Sequence, residues 1–353
     1  MAETTQFGTA KGAHLVGGLK APDAEAAMRT AGGILGRHLY AVTDGETGDR
    51  SQWIWWQINK LTALDGIELV GTKSQPASNQ DYAEFPALAI DPSVESLPAR
   101  SLGYADAAEA SYQIFRRLRE EGALPSDVKF QVSIPTPFAT VVAWVRSDDQ
   151  ERFFPIYARA IELEVEEIAS AIDPRDLVIQ YDVAVEIGAL TGAMPGAGRL
   201  NEKSFIIEAL KAACAHPANG VERGIHLCYG DYKHRHFTVP EDLSLCVEVA
   251  NEVGDAAQFV HMPADRESGR KPAYFEPLRR LAPGRRLALG VVDYEGDEER
   301  TGELVEAATT GSGGLEFAIA TECGMARIDE RGPDSPSLER LLELHARFAA
   351  PVR

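Results

Sequence analysis

Eight short apolar runs alternate with amphipathic stretches from one end of this chain to the other. They lie near Ala13–Gly18, His38–Thr43, Val128–Ser133, Leu177–Asp182, Gly224–Cys228, Gln258–Met262, Leu287–Asp293 and Leu315–Ala320. A short, continuously apolar run bounded by turn residues reads as a strand covered on both faces, the condition of a parallel sheet. The stretches between them, such as Asp23–Leu35, Ala105–Glu121, Glu151–Ala171, Glu202–Ala215, Pro240–Glu252, Asp297–Thr309 and Ser337–Phe348, space their apolar residues as helices do. Parallel strands need crossover connections, and helices supply them. Eight such units are the count of a (β/α)8 barrel, so the expected fold class is α/β, a single TIM barrel over residues 1–353. An open doubly wound sheet is the alternative, but no Gly-x-Gly-x-x-Gly follows the first run to favour it. The segment Gly71–Leu102, with several Pro and Ser, interrupts the alternation and is expected to be a long loop insertion.

Composition narrows the function. Of 353 residues, 44% are hydrophobic, enough for one large core. No run of about 18 apolar residues is present, so no membrane-spanning helix is expected. The start Met1-Ala2-Glu3-Thr4-Thr5 lacks the basic and apolar regions of a signal peptide, which suggests a cytoplasmic protein. Four cysteines in a chain of this length are too few for a disulfide scaffold and fit metal or catalytic use. A net charge of -19 disfavours nucleic acid and anionic membranes, both of which call for Lys and Arg. A small-molecule substrate is the expected partner.

A barrel makes a sharp demand: function gathers at the C-terminal ends of the strands. Unusual polar residues fall there repeatedly. They include Asp44 and Glu46 after the second run, Ser133 at the third, Asp182 at the fourth, His261 in the sixth, and Asp293 and Glu295 after the seventh. The fifth run carries His226 and Cys228. Residues i and i+2 of a strand share a face, so the imidazole and the thiol can meet one ion. Cys323 follows the eighth run. One histidine with two cysteines is a soft ligand set suited to zinc. Buried cysteines acting as small apolar residues beside a core histidine would leave the same pattern.

These residues resemble the catalytic barrel of cobalamin-independent methionine synthase, within the wider uroporphyrinogen-decarboxylase-like and methionine-synthase-like barrels. The strongest matches are His226-Leu227-Cys228-Tyr229 and Glu322-Cys323-Gly324. Asp44-Gly45-Glu46 is similar to the family's His-Gly-Glu, Gln180-Tyr181-Asp182 to its Gln-Ile-Asp, Leu15-Val16-Gly17-Gly18 to its Ile-Gly-Ser turn, and Gly290-Val291-Val292-Asp293 to its seventh-strand motif. The resemblance runs from about Ala13 to Arg327. It covers the catalytic half of the longer family members, without their N-terminal barrel that helps hold folate polyglutamate.

The resemblance implies zinc held by His226, Cys228 and Cys323, which activates a thiol for methyl or alkyl transfer. Folate or a methylcorrinoid protein would be the methyl donor. It implies substrate contacts from Glu46 and Asp182, to an amino group, and from Gly18 and Ser133 on the same rim. His261 stands where the family has a glutamate ligand, and is expected as the fourth metal ligand. Glu295 stands where the family has a histidine that assists transfer, and with Asp293 is expected as the catalytic acid/base. These two departures also fit a second activity on the same barrel, a zinc-dependent lyase or hydrolase acting on a small, even aromatic, substrate. Two further clusters stand out. Trp53 and Trp56, three apart on one helix face, either roof the barrel mouth or pack in the core. His234-Arg235-His236 follows the fifth run and reads as an exposed loop or a substrate contact.

Overall fold

The computed structural model describes residues 9–217, 220–232 and 235–352. Ten strands are present among them: β1 (Ala10–Ala13), β2 (Ala41–Thr43), β3 (Ile67–Pro76), β4 (Tyr82–Ile90), β5 (Lys129–Pro135), β6 (Leu177–Val183), β7 (Glu222–Leu227), β8 (Phe259–Pro263), β9 (Arg286–Val292) and β10 (Phe317–Thr321). Eight of them form one sheet in the order β1-β10-β9-β8-β7-β6-β5-β2, and every pairing in it is parallel. Bridges from Ala13 to Leu39 and from Gly18 to Gly45 bring the two ends of that order together. This is the α/β barrel of the expected class. The all-buried Leu177–Val183 shows why apolar runs marked the strands: both faces are covered, so no polar alternation survives.

The helices start where side chains cap them. Asp23, Asp297 and Ser337 each accept a backbone N–H three residues ahead, opening the helices Ala24–Leu35, Glu298–Gly311 and Leu338–Phe348. Thr136 caps the helix Pro137–Trp144, with proline at its first position.

The insertion differs from the expected loop. Strands β3 and β4 pair antiparallel from Ile67–Ile90 to Pro76–Tyr82, and only the stretch beyond β4 is irregular. The hairpin gains order through contacts distant in sequence. Lys73 Nζ donates to the carbonyls of Val142 and Val145 at 2.6 and 2.9 Å, and Gln75 Nε2 to that of Ala143 at 2.7 Å. These are carbonyls at the end of the helix Pro137–Trp144, which have no acceptor role left within it. At the tip, Asn79 N donates to the His236 carbonyl and Asp81 pairs with Arg235 at 2.5 Å. The hairpin therefore lies across the C-terminal mouth of the barrel.

Candidate metal centre and substrate cavity

Neighbouring strands bring Asp182, His226 and His261 into one row: Asp182 is the register partner of His226, and His226 of His261. Cys228 leaves β7 on the same face as His226. Cys323 arrives from the turn after β10. The ligand atoms of His226, Cys228 and Cys323 all lie within 4.8 Å of one another. The two sulfurs are 4.0 Å apart. Two zinc–sulfur bonds of about 2.3 Å at a tetrahedral angle span roughly 3.8 Å, so the donors fit zinc with little movement. The chemistry of the set agrees. The Cys323 sulfur at hydrogen-bonding distance, joined by His226, pulls the Cys228 thiol to about 5 despite burial, while the same contact holds Cys323 protonated. The pair shares one proton, and a cation would displace it. The other cysteines differ: burial pushes Cys214 and Cys246 up to about 12, and both sit in the core.

His261 stands apart from this group. It is fully buried, its Nδ1 is 2.7 Å from His226 Nδ1, and its Nε2 is 3.1 Å from the Thr321 carbonyl. Both ring nitrogens are engaged, and the ring reaches the three donors through His226. Burial, with His226 and His14 nearby, keeps its pKa well below the usual value.

A cavity of about 440 Å³ opens above the triad. Glu46, Asp182, Gly17 and Gly18 line its floor with His226, Cys228 and Cys323. Burial, and then the neighbouring Asp182, raises Glu46 to about 8, and burial raises Asp182 as well. Asp182 accepts from Gln180 Nε2 at 3.0 Å and Trp53 Nε1 at 3.2 Å. Arg50 and Arg327 act on Glu46 and His226 on Asp182, but these charges do not offset burial, and the two carboxyls resist ionising together. Gly17 is required here, since a Cβ would lie 2.4 Å from Glu46 Oε1; at Gly18 it would lie 2.7 Å from the Ala326 Cβ. A serine at position 18 is thus sterically excluded unless the Cys323 turn moves. Ser133 sits below this floor, its hydroxyl 3.3 Å from the Val16 carbonyl, and does not line the cavity.

The upper wall is aromatic. Trp55 packs 4.7 Å from Trp144 and 5.7 Å from Phe85, and Phe85 lies 5.0 Å from Tyr232, between ring centres. The tryptophan segment is a kinked 3-10 stretch, Gly48–Trp55, with φ of 52° at Trp53. That kink, and no regular helix face, sends Trp53 and Trp55 into the cavity, whereas Trp56 packs edge-on against Tyr104 outside it. Glu46 carries a left-handed φ of 47° as well. Such conformations cost a side-chain-bearing residue about 1–3 kcal/mol, and they concentrate at functional sites.

Asp293 and Glu295 do not reach the cavity. Arg266 holds them, with Nε 2.7 Å from Asp293 and Nη2 2.8 Å from Glu295, and Asp293 also accepts the backbone N–H groups of Glu295 and Asp297. Asp293 thus organises the turn after β9, and Glu295 is half exposed. Of the His234 cluster, His234 lies outside the described residues. His236 is largely buried 3.2 Å from Glu322; burial would lower its pKa, but the carboxylate raises it to about 9.

Sequence reasoning missed the pair Arg327–Asp231, 2.9 Å apart on the cavity wall. The strand-end rule could have found it, because Asp231 follows Cys228 by three positions and Arg327 follows Cys323 by four. Phe85 carries no such signal, since it comes from the hairpin. Glu186, buried against the Thr136 hydroxyl and raised by burial to about 7, was also missed, although it follows Asp182 by four positions and the strand-end rule reaches it too.

Fold and site together describe an α/β barrel with three potential metal donors gathered at its mouth. Among solved structures, the chain is similar to a B12-independent methionine synthase from Shewanella sp. W3-18-1, in complex with selenomethionine. The TM-score is 0.57 at 14% identity, covering 92% of this chain and 85% of that one. At this identity the likeness speaks for the fold. No protein-family model matches the chain, and no curated protein does. No helix among the described residues is long and apolar enough to cross a membrane.

Proposed function

We propose that this protein is a zinc-dependent enzyme that transfers a methyl or alkyl group to the thiol of a small amino-thiol substrate. The observation that carries the reading is the meeting, in one cavity, of the soft donors His226, Cys228 and Cys323 with the carboxylates Glu46 and Asp182. Zinc bound by the three donors would lower the pKa of a substrate thiol and keep it a reactive thiolate. The chain's own residues do the rest. Glu46 and Asp182 receive the substrate ammonium, which supplies the positive charge that their mutual repulsion calls for. Gln180 and Trp53 hold the Asp182 carboxylate in place. The aromatic wall excludes water around the sulfur.

The fold likeness to a methionine synthase supports homocysteine as the first thiol to test. The assay supplies zinc-loaded protein with homocysteine and either a methylated corrinoid or a methyl folate, and follows the methyl thioether by mass spectrometry. Thioether formation that requires Cys228 and Cys323 supports the reading; none with either donor sinks it.

The aromatic wall favours a second reading, a zinc-dependent lyase or hydrolase acting on a small aromatic substrate, with Glu46 as the acid/base. That enzyme would turn over one substrate alone, without a methyl donor.

A further inference from the structure

His261 has two nitrogens with two different partners, and their chemistry orders the protons. The Thr321 carbonyl only accepts, so the hydrogen of His261 is on Nε2, 3.1 Å away. His226 can offer Nε2 to a metal only with its own hydrogen on Nδ1, which then donates to the Nδ1 lone pair of His261 at 2.7 Å. His226 then has Nε2 alone as a donor to a metal. His14, whose ring stacks 5.7 Å from that of His261, is itself tied to Gln180 at 2.9 Å, so the His261 ring is packed as well as bonded. The same contact reaches the other ligand strand: Thr321, which receives His261, donates its hydroxyl to the Cys323 carbonyl at 2.7 Å.

We infer that His261 is a positioning residue for the metal centre. It fixes the tautomer and aim of His226 and braces the turn of Cys323, leaving a Cys2His set whose fourth position is open to the substrate. A metal-ligating histidine ordinarily needs such a partner on its second nitrogen, and three protein ligands with one open place are the pattern of catalytic zinc. The inference rests on the zinc reading of the site, but its test does not use activity.

The test compares full-length wild type with His261→Asn, which keeps an acceptor near the position of Nδ1, and His261→Leu, which keeps only bulk. Zinc affinity is read by chelator competition, and the ligand shell by X-ray absorption. The wild-type shell should contain two sulfurs and one imidazole. His261→Asn should stay within about 3-fold of wild-type affinity, and His261→Leu should lose about 10- to 100-fold, with the sulfur count unchanged at saturating zinc. Two imidazoles in the wild-type shell, or equal affinity in all three proteins, would overturn the inference. If His261→Leu does not fold, the Asn variant decides, since a loss as large as that of His226→Ala would make His261 a ligand. Failure of the methyl-transfer reading would appear separately, as a zinc-loaded wild type that methylates no thiol.

Discussion

Cys228 and Cys323, 95 positions apart in the chain, hold their sulfurs 4.0 Å from each other at the mouth of the barrel. Cys228 is buried and Cys323 partly so, but neither joins the apolar cluster that holds Cys214 and Cys246, and the contact between them holds Cys228 ready to lose its proton. A pair of thiols at this spacing beside an imidazole offers the donor types that a soft divalent cation prefers.

The first consequence concerns metal content. Purified protein is expected to carry about one zinc per chain, held by three donors with a fourth place open. Cys228→Ser, Cys323→Ser and His226→Ala should each lower zinc affinity by at least about 100-fold, since each removes a direct ligand. Elemental analysis with chelator competition measures this. Wild-type protein that binds no zinc at micromolar metal would remove the metal centre altogether.

Glu46 links substrate binding to pH. Its pKa is raised to about 8, so it is protonated near neutrality and ionises as the pH climbs past that value. An ammonium-bearing substrate should bind more tightly from pH 6.5 to 8.5, and Glu46→Gln should abolish that rise while weakening binding about 10- to 100-fold. Stability moves the opposite way. A carboxyl with a folded pKa above its unfolded value costs stability as pH rises from about 4.5 to about 8, and the loss is complete above that. Glu46→Gln should therefore melt at a higher temperature than wild type at pH 9 and nearly the same at pH 5. Calorimetry at the two pH values decides, and equal melting differences at both would refute the carboxylate pairing.

Lys73 couples the hairpin to alkaline pH. Burial lowers its pKa to about 8, below the unfolded value near 10.5. Between these values the unfolded chain holds more protons than the folded one, so this group makes stability rise with pH. Lys73→Met should flatten that rise. It should also loosen the hairpin, because its link to the carbonyls of Val142 and Val145 is lost, leaving those to Gln150 Nε2 alone. Hydrogen exchange across β3 and β4 is the direct measurement; unchanged protection would show that Lys73 does not pin the hairpin.

Glu295 should be dispensable. It is half exposed and bound to Arg266 at 2.8 Å, away from the cavity lining. Glu295→Gln is expected to change kcat/KM by less than about 3-fold, the scale of an exposed ion pair. A loss of 100-fold would return it to the role of acid or base.

Much of this was legible before any tertiary contact was considered. Seven of the apolar runs marked barrel strands because strands buried on both faces lose polar alternation, while the first, Ala13–Gly18, met β1 only at Ala13; Asp23, Asp297 and Ser337 marked helix starts through capping. Glu46, Asp182, His226, Cys228 and Cys323 stood out by their place at strand ends, and the fold brings these five to one cavity. Asp293 stood at a strand end too, yet it folds back onto Arg266 and its own turn. Position along the chain says which rim a side chain reaches; it does not say whether the side chain turns toward the axis.

The linear sequence alone therefore determined the repeat, the parallel sheet and the donor types, because period and chemical identity are local properties. Three matters were decided only by tertiary structure. The hairpin formed where Pro and Ser suggested a loop, because distant carbonyls of the helix Pro137–Trp144 accept its Lys73 and Gln75 side chains. Trp53 and Trp55 faced the cavity because a kinked backbone overrode helical spacing. His261 came to stand behind His226 because β7 and β8 pair them in register and the Thr321 carbonyl takes its other nitrogen. The hairpin and His261 depend on hydrogen-bond partners far along the chain, as does Trp53 through Asp182, and local pattern carries no record of such a partner.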